Sequence, residues 1–180
     1  MASYYYLLAS LPSLRVGEKM PLQYAAFLER CHGQVSEAVY QRLENLTTLS
    51  DEGPFLREWG AFYGVLHEEL CYRRKLRLGK KAEPPAVRDA DAVRETERAL
   101  AAKNPLEAEE ILLKLEFDRI DRLTAMHYFD DRVLFGYAMK LKLLERKNAF
   151  QKEEGRGEFA RVFGRIQENI HNMEDLEIQQ

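Results

Sequence analysis

His67, Glu68, Glu69, Leu70 and Cys71 imitate the zinc motif His-Glu-x-x-His, with a cysteine in the last place. On a helix this spacing puts His67 and Cys71 on one face, as two ligands of a single zinc ion require. A catalytic zinc takes three protein ligands, and no third is evident beside the pair. Leu66 and Leu70 set an apolar stripe next to that face. The plain alternative is therefore a histidine at the edge of the core and a buried thiol. A metal-dependent hydrolase using His67 and Cys71 is one reading, and a structural helix is the other.

A second group follows directly. Arg73, Arg74, Lys75, Arg77, Lys80 and Lys81 stand within nine residues. Such a cluster can bind phosphate groups, nucleic acid or an acidic protein surface. It can also complement the negative end of a helix. A nucleic-acid site draws on interleaved exposed aromatics for stacking, and only Tyr72 is near. Helix-end complementation or an acidic partner is favoured, with Arg73, Arg74, Arg77, Lys80 and Lys81 as the contact residues.

Two further constellations have simpler explanations. In His127-Tyr128-Phe129-Asp130-Asp131 a histidine lies near two carboxylates. Catalysis would need a convergent pocket, whereas capping of the next helix by Asp130 accounts for most of the pattern. Cys31 and His32 are neighbours in sequence, and adjacent helical residues point to different faces. No glycine-rich phosphate loop, no G-x-S-x-G and no Glu-x-x-His pair of the di-iron type is present. No enzyme activity, cofactor, metal or small-molecule substrate is expected.

The bulk properties agree with a helical protein. The 180 residues are 46% hydrophobic and 32% charged, enough for a real core and long surface helices. The net charge of −3 argues against a dedicated nucleic-acid binder. Cys31 and Cys71 match no metal or redox spacing and read as reduced thiols of a cytoplasmic protein.

The glycines and prolines fall between helical patterns. Pro21 opens a segment to about His32, with Gly33 as its stop. Ser36 caps a helix to about Leu46, with Glu37 in its first turn. A long helix follows from Pro54 to about Leu78, with Phe55, Trp59, Phe62, Leu66 and Leu70 on one face and Gly79 at its end. Gly60 and Gly64, one turn apart inside it, predict a close helix crossing or a kink. Residues 79–88, with two prolines, read as a linker. Residues 89–103 have only Val93 and Leu100 as larger anchors and predict a loosely packed edge helix.

Asn104 and Pro105 form an N-cap and N1 pair for a helix carrying Leu113, Phe117, Ile120 and Leu123. The next helix, about 131–152, is apolar on two sides. Leu134, Tyr137, Leu141 and Leu144 make one side, and Phe135, Met139 and Leu143 the other, which predicts a central position. A last helix carries Phe159, Val162, Phe163, Ile166 and Ile170. The expected fold class is all-α, a bundle of about six to seven helices without substantial sheet. An N-terminal unit (1–79), a linker with its loose helix (80–104) and a C-terminal bundle (105–180) share one core. Residues 62–75 and 135–147 faintly echo each other.

The opening "YYYLLASLP", residues 4–12, has no basic region before it and is too short to span a membrane. It reads as a packing element that buries tyrosines and ends at Pro12. Together with "LHEELCYRRKLRLGK" (66–80) and residues 104–146, it resembles a bacterial family known as a domain of unknown function. Members of that family are encoded among the subunit genes of V-type ATPases. The resemblance implies a non-catalytic helical subunit or assembly factor that joins the membrane rotor ring to the central stalk. It would stand in for the helical socket protein that ordinarily seats the stalk on the ring, although that protein is longer and has several related helical units. The implied partners are rotor-ring and central-stalk subunits. The implied location is cytoplasmic, peripheral to the inner membrane through the complex. The family supplies no active-site residues.

Overall fold

The computed structural model describes residues 4–148. The helices are α1 (Tyr5–Ser10), α2 (Tyr24–Cys31), α3 (Glu37–Glu44), α4 (Pro54–Arg77), α5 (Ala90–Ala101), α6 (Pro105–Thr124) and α7 (Asp131–Asn148). No strand occurs among the described residues, so the class is all-α. The chain divides into two units, residues 1–145 and 146–180, and the second lies almost entirely outside the described residues. The helix expected around Phe159, Val162, Phe163, Ile166 and Ile170 also lies outside them.

Local chemistry sets several helix ends. The Ser36 hydroxyl accepts the Val39 N–H, and the Asn104 carboxamide oxygen accepts the Glu107 N–H. Asp130 Oδ1 accepts the Val133 N–H at the start of α7. Pro54 and Pro105 occupy first-turn positions, where no intrahelical donor is lost. At the end of α4, Gly79 (φ +68°) donates to the Leu76 carbonyl and Lys80 to the Lys75 carbonyl. This is the paired turn that glycine permits after a helix. The second helix departs from its expected start. Pro21 lies in a bend and α2 begins at Tyr24, whose N–H is bound by Glu145 Oε1 at 2.9 Å. A carboxylate on α7 sets this boundary.

The core contains the expected faces. Phe55, Trp59, Phe62, Leu66 and Leu70 of α4 are buried, as are Leu113, Phe117 and Ile120 of α6. Both sides of α7 are covered apart from the half-buried Tyr137, which makes α7 central. Two polar groups of core aromatics have partners: Trp59 Nε1 donates to the Thr48 carbonyl, and the Tyr24 hydroxyl to that of Leu43.

Three packing expectations are overturned. First, α5 is not loose. It packs against both α4 and α6 through Ala92, Thr96 and Ala99, while Val93 and Leu100 are only half buried. Small side chains let neighbouring helices approach closely, so an alanine stripe can hold a helix as well as leucines do. Second, Gly60 and Gly64 mark no close crossing among the described residues, since a Cβ at either would meet nothing within 4 Å, and the helix runs on through both. The close approach is at Gly136, where a Cβ would lie 2.8 Å from Thr124 Cγ2 and 3.3 Å from Ile120 Cγ2. Third, of the three opening tyrosines only Tyr4 is buried. Its hydroxyl donates to Asp131 and its N–H to the Phe129 carbonyl. Tyr5 is half exposed against the Phe129 ring, and Tyr6 is 84% exposed.

Candidate functional site

The basic cluster lies at the C-terminal end of α4, and the fold divides it into two groups. Arg73 faces α5. Its Nε donates to Glu69 Oε1 at 2.7 Å and its Nη1 pairs with Glu97 at 2.6 Å. Arg77 donates to the Leu100 carbonyl at 2.8 Å. These two side chains fasten α4 to α5. Arg74, Lys75, Lys80 and Lys81 are exposed, and their side chains make no ion pair or hydrogen bond among the described residues. Lys80 and Lys81 stand past the helix end, beyond the turn at Gly79. Leu76 and Leu78 are exposed between the cations, Leu78 at 71%.

Glu69 holds the base of this end. It is 1% exposed and receives three charge-assisted hydrogen bonds. Arg73 supplies one; Arg88 supplies the others, from Nε to Oε2 at 3.0 Å and from Nη2 to Oε1 at 2.8 Å. Burial raises its pKa, but the hydrogen bonds from Arg88 and Arg73 outweigh that and hold the carboxyl below the usual glutamate range. The Arg88 pair is bidentate, the geometry in which guanidinium and carboxylate match best. It anchors the end of the irregular crossing, residues 79–88, onto α4. The sequence holds a signal for Glu69: it sits on the apolar stripe between Leu66 and Leu70, four residues before Arg73. The partner Arg88, across two prolines, has no such signal.

The remaining candidates separate. His67 and Cys71 are both exposed, so Cys71 is not the buried thiol expected of it. His67 lies against the Tyr63 ring, with centroids 4.5 Å apart. Among the described residues no group of three or more His, Cys, Asp or Glu side chains is placed to hold a metal ion. Cys31 is the buried cysteine, and burial pushes its thiol up to about 12. His32 instead meets the Tyr40 ring edge-on.

His127 Nδ1 and Asp130 Oδ2 are 2.6 Å apart in the turn before α7. Burial raises the Asp130 pKa, but the bonds from His127 and the Val133 N–H prevail and lower it. The turn also carries exposed apolar side chains that the residue pattern did not single out. Met126 (85% exposed) and Tyr128 (76%) stand out from it, and Tyr5 packs on its Phe129 ring. Tyr128 lines a mainly apolar groove of about 430 Å³ together with Leu8, Leu11, Pro12, Phe129, Val133 and Tyr137. Arg132 ties this corner to the other end of α4 by pairing with Glu58. Glu58 and Arg77 are nineteen residues apart on one helix, or about 28 Å at 1.5 Å per residue.

Among the described residues no helix is long and apolar enough to cross a membrane. Comparison with protein-family models, with curated proteins and with solved structures returns no match.

Proposed function

We propose that the chain is a non-catalytic helical subunit or assembly factor of a bacterial V-type ATPase, joining the membrane rotor ring to the central stalk. The observation that carries this reading is the chemical difference between the two ends of α4. One end presents cations around Leu76 and Leu78 that are unpaired among the described residues, and the other presents the exposed Tyr128 on an apolar groove. A connector needs two such surfaces held at a constant distance, and a continuous 24-residue helix packed on a core holds them. Contiguous apolar patches of this kind mark protein contacts. The resemblance of residues 4–12, 66–80 and 104–146 to the family encoded with V-type ATPase subunits supplies the machine. On this reading the protein works at the cytoplasmic side of the inner membrane, held there by its partners.

Affinity purification of the tagged protein from its own cells, in mild detergent, tests the proposal. Recovery of rotor-ring and central-stalk subunits in fixed ratio is expected. Recovery of the chain without them rejects it.

A further inference from the structure

We infer that the C-terminal tip of α4 docks an acidic amphipathic helix of a partner protein. Residues 74–88 carry six cationic side chains and one carboxylate, Glu83. Arg77 and Arg88 are used within the fold, on the Leu100 carbonyl and on Glu69. Arg74, Lys75, Lys80 and Lys81 remain exposed without a partner among the described residues. Arg94, Arg98, Arg122 and Arg132 each pair with a carboxylate, and the exposed cations that do not, such as Lys19, Arg30, Lys103 and Lys114, are scattered along the chain, whereas Arg74, Lys75, Lys80 and Lys81 fall within eight residues.

The helix dipole favours Arg74 and Lys75, which stand in the last turn of α4, but it does not account for the other two. Its effect fades within the last turn, and Lys80 and Lys81 lie beyond it. The carbonyls of Lys75 and Leu76 are moreover already satisfied by the N–H groups of Lys80 and Gly79. Clustered within eight residues and unpaired among the described residues, these four cations present a positive patch that suits an acidic partner.

The occupant's class follows from the side chains between the cations. Leu78, 71% exposed just before Lys80 and Lys81, offers an apolar contact, which suits a helix presenting an apolar row edged by carboxylates. Nucleic acid would stack on exposed rings. The only ring here, Tyr72, is half buried and has the guanidinium groups of Arg73 and Arg88 5.9 Å and 5.8 Å from its centroid. A bilayer surface would take leucines on one face, whereas Leu76 and Leu78 leave the helix about 200° apart. The inference rests on the connector reading only for the identity of the partner.

The test places a photoreactive phenylalanine analogue at Leu78 in the full-length tagged chain, expressed in its own cells, and maps the cross-linked atoms by mass spectrometry. A second chain adds Arg74→Glu, Lys75→Glu, Lys80→Glu and Lys81→Glu. All four positions are exposed, so an unchanged melting temperature and circular dichroism spectrum verify its fold. The expected attachment is to a protein segment with carboxylates at three- or four-residue spacing, with yield at least about tenfold lower in the charge-reversed chain, as four exposed ion pairs imply. Attachment to phospholipid, to nucleic acid or to a segment without carboxylates overturns the inference. So does an unchanged yield after charge reversal, or no attachment. Recovery of rotor and stalk subunits with a charge-insensitive cross-link removes the acidic helix and leaves the connector. A charge-dependent acidic cross-link to a protein outside the V-type ATPase does the reverse.

Discussion

Replacing three glycines by alanine should split them by environment, because two opposing terms have different sizes at each. Alanine in place of glycine inside a helix gains about 0.5–1 kcal/mol from backbone entropy. At Gly60 and Gly64 nothing within 4 Å opposes that gain, so each substitution should stabilise by about that amount. At Gly136 the new Cβ would stand 2.8 Å from Thr124 Cγ2, against an ordinary carbon–carbon contact of about 3.5–4.0 Å. Thr124 cannot simply turn away, since its hydroxyl donates to the Ile120 carbonyl at 2.9 Å. Overpacking of this kind costs about 1–3 kcal/mol, so Gly136→Ala should destabilise by about 1–2 kcal/mol after the helix gain. Thr124→Ser removes the clashing methyl and keeps the hydroxyl. The pair Thr124→Ser with Gly136→Ala should therefore recover most of the loss, a coupling of about 1–2 kcal/mol. Urea unfolding followed by far-ultraviolet circular dichroism measures the parent and the five variants. A Gly136→Ala protein as stable as Gly60→Ala, or a double variant no better than Gly136→Ala, would refute the reasoning.

Three further outcomes are expected. Arg73→Glu should unfold at lower urea than Arg74→Glu, because it sets a new carboxylate against Glu69 and Glu97; equal midpoints would show that the clasp contributes nothing. The Glu69 carboxyl is depressed in the folded state, so its contribution is present above the unfolded value, about 4.3, and is lost as pH falls through the native one. Unfolding midpoints of the parent should accordingly drop below that pH more steeply than those of Glu69→Gln, and parallel profiles would discard the assignment. In the native protein a maleimide should label Cys71 rapidly and Cys31 only after denaturation, since Cys31 is buried with its thiol pushed up to about 12. Two fast labelling events would contradict that burial.

The candidate site was legible in part. The cations at the end of α4 are plain in the sequence, and so is the glycine that ends the helix. Their division into structural and exposed members was not. Arg73 and Arg77 resemble Arg74 and Lys75 in type and spacing, and only the position of α5 assigns them to Glu97 and the Leu100 carbonyl. A charge reversal meant to probe an interface therefore belongs at Arg74, Lys75, Lys80 and Lys81. At Arg73 and Arg77 it would disturb the α4–α5 contact instead.

What the sequence determined by itself were the features that arise within about four residues of their cause. Asn104, Asp130 and Ser36 cap their helices through adjacent N–H groups, Gly79 turns the chain, and the apolar spacing in α4, α6 and α7 selects the buried face. Tertiary structure decided whatever depends on a neighbour distant in sequence. Glu145 sets the start of α2, Arg88 closes on Glu69, and small side chains draw α5 against α4 and α6. Gly136, and neither Gly60 nor Gly64, has the close neighbour. A local rule depends on backbone geometry that every helix shares. A long-range contact depends on which surfaces meet, and that follows from packing the whole core at once.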